Sequence, residues 1–149
     1  MGHKAAAHET VGDPLGGAEG GGPLVDPHAT AEERRYAMWI HLGGLIAAVV
    51  AAVTIVGFWA PPLVVLIMWM RRRETSPFID DHGREAMNFQ VSLLLLFLAV
   101  IVLAVPTCGI GLVAVPVLYV FGAIGLVLAA VAAGRGEYFR YPATIRLIR

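Results

Sequence analysis

The sequence predicts an all-α integral membrane protein: a four-helix bundle with a short second helix, preceded by a disordered N-terminal tail. Three observations carry that prediction. Hydrophobic residues make up 58% of the 149-residue chain, and the mean hydropathy is +0.73. Apart from His41, no ionisable side chain other than tyrosine or cysteine lies within 36–70 or within 86–134. All eleven Lys and Arg, and all eleven Asp and Glu, therefore fall in the N-terminal region, one central segment and the C-terminal region. A helix needs ~20 apolar residues to cross a hydrocarbon core of about 30 Å, and a charge at its centre costs about 3 kcal/mol.

Residues 1–30 form the tail. They are rich in Gly, Ala and Pro, including Gly16-Gly17 and Gly20-Gly21-Gly22-Pro23, and cannot bury enough apolar surface to offset chain entropy. No apolar run of signal-peptide type occurs there, so no cleavable signal is expected. Met1-Gly2 opens a myristoylation pattern, but Ala6 stands where Ser or Thr is wanted.

The membrane domain is expected over 33–149. Its first apolar run, 36–70, would rise roughly 50 Å as a single helix, too long for one ordinary crossing. Gly57 and Pro61-Pro62 divide it, because proline removes a helical donor and restricts its predecessor. Helices are thus expected near 36–56 and 60–72. The second rises only about 20 Å and relies on Arg71, Arg72 and Arg73 reaching headgroups. A third helix follows near 84–105, then a turn at Pro106-Thr107-Cys108-Gly109. The fourth runs near 110–133 with Pro116 close to its start, where proline is tolerated.

Loop charge orients the bundle. Four crossings put every Arg and Lys on one side, as the positive-inside rule requires; three would place Arg34 and Arg35 opposite the others. Both termini are expected in the cytoplasm, with the protein in the inner (cytoplasmic) membrane. Small residues at four-residue spacing, Gly44, Ala48 and Ala52 on the first helix and Gly125, Ala129 and Ala133 on the fourth, suit close helix packing.

The least generic stretch is 76–90, Ser76-Pro77-Phe78-Ile79-Asp80-Asp81-His82-Gly83-Arg84-Glu85-Ala86-Met87-Asn88-Phe89-Gln90. Asp80 or Asp81 is placed to cap the third helix. Asp81, Glu85, Asn88 and Ser92 then share one helical face. The polar set Asp80, Asp81, His82, Glu85, Asn88, Gln90 and Ser92 has three readings: capping with interhelical hydrogen bonds, a docking surface, or a vestibule to a solute path. His41, an intramembrane ionisable group, is expected to reach headgroups or to bond Asn88 or Gln90, with proton or substrate handling as the alternative. Residues 135–149 form an interfacial tail. Its Tyr138, Phe139 and Tyr141 suit the headgroup level, and Arg140, Arg146 and Arg149, like Arg71–Arg73, suit anionic headgroups.

Several functions lose support. A net charge of zero disfavours nucleic-acid binding. The single cysteine, Cys108, cannot form an internal disulfide. His82 and Glu85 lack the second His or Cys of a metal site, so no metal and no cofactor are expected. No nucleophile–base pair is evident, so no catalytic residue is assigned.

Trp39-Ile40-His41-Leu42, the proline-led run ending in Trp69, the 76–90 segment, and Tyr141-Pro142 followed by Thr144-Ile145-Arg146 together resemble one family. It comprises functionally uncharacterised small bacterial four-helix membrane proteins similar to the chloroplast inner-envelope import (Tic) translocon component. The resemblance covers about 33–149 and implies a four-helix inner-membrane bundle, with protein translocation as the role of the chloroplast relatives. The turn Val56-Gly57-Phe58-Trp59-Ala60 departs from that family's Gly- and Asn-rich turn. The expected function is a non-enzymatic membrane scaffold or assembly protein; the alternative is a subunit of a protein- or solute-translocating complex. The expected partners are the lipid bilayer and either further copies of the chain or another membrane or soluble protein.

Overall fold

The computed structural model describes residues 22–52, 57–142 and 144–148. Its helices are α1 (Ala31–Ala52), α2 (Ala60–Arg72), α3 (Pro77–Ala104) and α4 (Ala114–Arg135). Short 3-10 turns, Gly57–Trp59 and Ile110–Val113, precede α2 and α4. The architecture is the expected all-α one, with no strand among the described residues.

α1 starts earlier than the apolar run because Thr30 and Glu33 form a capping box. The Thr30 amide donates to Glu33 Oε2 at 2.7 Å, and the Glu33 amide donates to Thr30 Oγ1 at 3.2 Å. The expected end of this helix, 53–56, lies outside the described residues. α2 opens with its prolines in the first turn. It runs back along α1: Met68 lies against Gly43, the Tyr36 hydroxyl donates to the Met68 carbonyl, and Arg72 pairs with Glu32.

α3 begins at Pro77, not near Arg84, with Ser76 in the N-cap position. Neither Asp80 nor Asp81 caps it. Proline at the first helical position lacks the donor that would go unpaired there, so the helix starts before the aspartates, whose side chains are free for other partners. α2 and α3 touch closely at Gly83, where an added Cβ would lie 2.1 Å from Trp69 Cδ1; only glycine fits. Gly136, at φ 78°, ends α4. Its amide donates to the Ala133 carbonyl and that of Glu137 to the Ala132 carbonyl, a Schellman closure.

Three helices are long and apolar enough to cross a membrane: Ala31–Ala52, Pro77–Ala104 and Ile110–Arg135. With α2 returning along α1, the N-terminal region, 71–84 and the C-terminal segment share one end of the bundle, here termed the charged end. The core sits there, in Ile40, Val65, Ile79 and Ala86, in Phe89, Leu126, Ala129 and Tyr141, and in Ala37, Phe78 and Ala133. Towards the far end α1, α3 and α4 diverge around a cavity of about 460 Å³ lined by Ala48, Phe58, Gln90, Phe97 and Tyr119 among others. The α4 stripe packs as expected: Ala129 and Ala133 are fully buried and Gly125 faces Phe89 and Tyr141. On α1 the stripe shifts. Gly44 is buried, but Ala47 and Ala51 follow it inward while Ala52 is exposed, because α1 must face α2 and α3 as well as α4.

Residues 22–30, expected within the tail, are pinned. The Tyr138 amide donates to the Leu24 carbonyl at 2.8 Å, the Asp26 amide to the Gly136 carbonyl at 2.9 Å, and Ala29 joins Phe78 in the core.

Candidate functional site

The polar face of α3 holds the chain's own C-terminal segment. Asn88, 1% exposed, reads its backbone from both sides. Oδ1 accepts from the Leu147 and Ile148 amides at 3.0 and 2.9 Å, and Nδ2 donates to the Ile148 carbonyl at 2.9 Å. One turn along, Ser92 Oγ accepts from the Ile145 amide at 2.9 Å and donates to the Asn88 carbonyl at 2.8 Å. Towards the charged end Arg140 donates to both oxygens of Asp81, at 2.6 and 2.7 Å, and Arg146 to Glu85 at 3.1 Å. Asp81, Glu85, Asn88 and Ser92 share one face, and what they hold is Arg140 and residues 145–148. Asn88 was expected to bond a neighbouring helix; it bonds an extended segment whose amides and carbonyls have no ladder of their own.

Beneath this strap lies a buried hydrogen-bonded chain. Tyr141 Oη is 2.9 Å from His41 Nδ1, His41 Nε2 is 3.0 Å from His82 Nδ1, and His82 Nε2 is 3.1 Å from the Glu137 carbonyl. Its polarity follows from one end. A carbonyl only accepts, so His82 Nε2 carries a proton and, in the neutral ring, its Nδ1 accepts. His41 Nε2–H then donates to it, which leaves His41 Nδ1 to accept from the Tyr141 hydroxyl. His41 thus bonds His82 and Tyr141, and not Asn88 or Gln90 as the sequence predicts. His82 is fully buried and presents nothing to a partner. Tyr141, expected at the headgroup level, is 3% exposed and stacks on Phe89 at 3.9 Å. No sequence signal links Tyr141 to His41: proximity across a hundred residues is set only when α4 folds back.

The remaining candidates lie apart. Asp80 accepts from Trp69 Nε1 at 2.8 Å and pairs with Arg84. Gln90 lines the far cavity with its Nε2 unpartnered. Arg72 pairs with Glu32 and covers the Tyr36 ring at 4.8 Å, Arg73 pairs with Glu74 at 3.5 Å, and Arg71 is exposed. Arg149 lies outside the described residues. Arg140 and Arg146, expected to meet lipid headgroups, are drawn to carboxylates of the same chain.

Electrostatics reinforce the strap. The Asp81 carboxylate beside Arg140 raises that guanidinium's pKa above its ordinary value. Burial, then the Asp26 carboxylate, pushes the Tyr138 hydroxyl up to about 12; it donates to Asp26 at 2.8 Å. Burial, then the Glu85 charge, holds the Tyr141 hydroxyl well above the ordinary range, keeping it a donor. Among the described residues, no group of three or more His, Cys, Asp or Glu is placed to hold a metal.

Long apolar helices, a charged end and a self-bound C-terminal strap define a small multi-helix integral membrane protein. The particular family follows from a match over residues 32–148: the chain belongs to the magnetosome magnetite crystal formation protein family, MamF/MmsF. That assignment replaces the resemblance to the Tic-translocon-like family, which rested on Trp39–Leu42, the proline-led run ending in Trp69, the 76–90 segment and the Tyr141–Arg146 motif, and from which the bulky 56–60 turn already departed. No curated protein and no solved structure matches the chain.

Proposed function

We propose that the chain is a non-enzymatic structural or assembly protein of the membrane that encloses a growing magnetite crystal. Membership of the magnetosome family supports the setting. The observation that carries the role is the Asn88 clamp. The polar side chains that a docking or catalytic site would present are spent on fixing residues 140–148 to α3. A conducting role draws no support from the far half, where the cavity between α1, α3 and α4 is lined by aliphatic and aromatic side chains with Gln90.

The positive-inside rule puts the charged end, and with it both ends of the described chain, in the cytoplasm. The end towards the crystal is then formed, among the described residues, by 57–59 and 105–113, which contain no Asp, Glu, Lys or Arg. On this orientation the chain offers the mineral no carboxylate, and it acts through the membrane: by packing, by curvature, or by holding other proteins in place.

Deleting the gene and imaging crystals by electron microscopy tests the role. Crystals of altered size or habit inside intact membrane compartments are expected, restored by the wild-type chain. Unaltered crystals would refute it. Reporter fusions at residues 30 and 75 and after 149 should all face the cytoplasm; a split between them refutes the orientation alone.

A further inference from the structure

The cavity between α1, α3 and α4 has a polar fault in an apolar wall. Its volume of about 460 Å³ lies within the range of small-molecule sites, about 300–1,000 Å³. Aliphatic and aromatic side chains line it apart from Gln90. Gln90 is 4% exposed, its Nε2 is buried without a partner, and neither end of its amide forms a hydrogen bond among the described residues. Lipid supplies no such partner, so the group must find one in protein or in something bound. Gly44 makes room for the amide: a Cβ there would lie 2.8 Å from Gln90 Nε2. The two ends of an amide are alike in size. A half-turn therefore brings Nε2 to the cavity and leaves Oε1 against the Cα–H of Gly44, where a weak C–H···O contact is available.

The position of Gln90 selects the occupant. Towards the charged end, Phe89, Leu126 and Ala129 close the core, so Gln90 marks the inner end of the cavity. From there to Ala104 at the end of α3 the helix rises about 20 Å. An occupant thus meets the amide with its leading end and trails past Phe97 and Tyr119, which line the cavity further out. A phospholipid of the far leaflet enters tail first. Its oxygens stay at the edge of the hydrocarbon core, and only a methyl group reaches Gln90. What matches is an uncharged molecule with an acceptor oxygen at its leading end and an apolar tail behind. Ala48 and Gly122 add at most a methyl group to the lining, which leaves flat wall for a planar ring. A lipophilic quinone combines these features: a flat neutral head, carbonyl acceptors and an isoprenoid tail.

We propose that this cavity binds the head of a lipophilic quinone, with Gln90 Nε2 donating to a ring carbonyl and the tail lying against Phe97 and Tyr119. The bound ring gives Gln90 the partner that the protein does not supply. It also fills the space between α1, α3 and α4, so that the three helices are held together there through the ligand. Because only the folded bundle forms the cavity, occupancy raises stability in step with quinone concentration.

The test titrates full-length protein in phosphatidylcholine nanodiscs with ubiquinone-2, against empty nanodiscs, and follows the quinone carbonyl stretch by infrared spectroscopy. A carbonyl band moved to lower frequency, saturating at one quinone per chain, is expected. Gln90→Leu should remove the shifted band and weaken binding about three- to tenfold, the worth of one neutral hydrogen bond. In quinone-free nanodiscs the same variant should melt no lower than the wild type, since the amide it removes bonds to nothing in the protein. Ala48→Phe fills the cavity and should abolish saturable binding; should it fail to fold, Gln90→Leu decides. Absence of a saturable shifted band in the wild type overturns the proposal and leaves the cavity to phospholipid chains. An unchanged band and affinity in Gln90→Leu overturns it too, by placing the quinone elsewhere. So does a marked fall in melting temperature of that variant without quinone, which would give Gln90 a partner within the protein.

Discussion

Along α3 the same helix lives in two regimes. At the charged end Phe78, Ile79, Ala86 and Phe89 are at most 2% exposed, whereas further along Val102 is 69% and Leu103 58% exposed. α4 mirrors this: Leu126, Ala129 and Ala133 are buried and Val117 and Val120 are open. The far half is the more apolar of the two, so hydrophobicity does not decide which one closes. In lipid there is no hydrophobic drive between helices, and association needs close packing or polar bonds. The charged end has both: Gly83 under Trp69, the histidine chain, and the strap clamped by Asn88. Among the described residues of the far half the contacts are Gly122 against Leu93, Gly111 against Ala104 and Phe58 stacked on Phe97 at 6.0 Å, and a cavity lies between the helices.

The largest effect that could break this contrast is expected at Gly83. Gly83→Ala places a methyl group inside the Trp69 ring and should cost about 3 kcal/mol or more, read as a loss of thermal stability in detergent. Val102→Ala in the far half should cost less than about 0.5 kcal/mol. Comparable losses would mean that the far half is packed in the native membrane.

Next comes the clamp. Asn88→Leu removes three hydrogen bonds to the strap and leaves the Ile148 amide and carbonyl in search of partners, while the Leu147 amide keeps the Ile145 carbonyl at 3.2 Å. A loss of about 2 kcal/mol is expected, together with faster proteolysis within 140–148. A stable variant with an unchanged cleavage pattern would show that the strap is held by something else.

Smaller still is Arg140→Gln. The Arg140–Asp81 pair is bidentate but half exposed, so its loss should cost no more than about 1 kcal/mol and should shrink further in high salt. The smallest effect is at alkaline pH. Tyr138 ionises near 12 in the folded protein, against 10.0 ordinarily. The neutral phenol is thus favoured by folding, and its contribution is present below pH 10 and lost as pH rises towards 12. Tyr138→Phe should flatten that decline in melting temperature; an unaltered slope would place the effect elsewhere.

These contrasts also explain what was legible in the sequence. Charge-free runs and punctuating prolines gave the four helices, because lipid tolerates little else. The spacing of Asp81, Glu85, Asn88 and Ser92 gave one functional face, since helical geometry alone places them together. What they bind was not legible. Arg140, Ile145, Arg146 and Leu147 have no periodicity and read as a generic interfacial tail. Asp80 and Asp81 look like helix caps until Pro77 is seen to start the helix before them. Tyr141 has the composition of a headgroup aromatic, and only the fold-back of α4 carries it to His41. The capping box at Thr30 and Glu33 was present in the residues and obscured by the apolar run that follows it.

The strap is the feature on which the rest depends, and amide hydrogen exchange at neutral pH reads it directly. Ile145, Leu147 and Ile148 donate to Ser92 and Asn88, so in the full-length protein in lipid their exchange should be slowed at least about tenfold relative to an unstructured peptide, and Asn88→Leu should remove that protection at Ile148. Exchange of these three amides at unstructured rates in the wild-type protein would contradict a bound C-terminal segment, and with it the assignment of the α3 polar face to internal assembly.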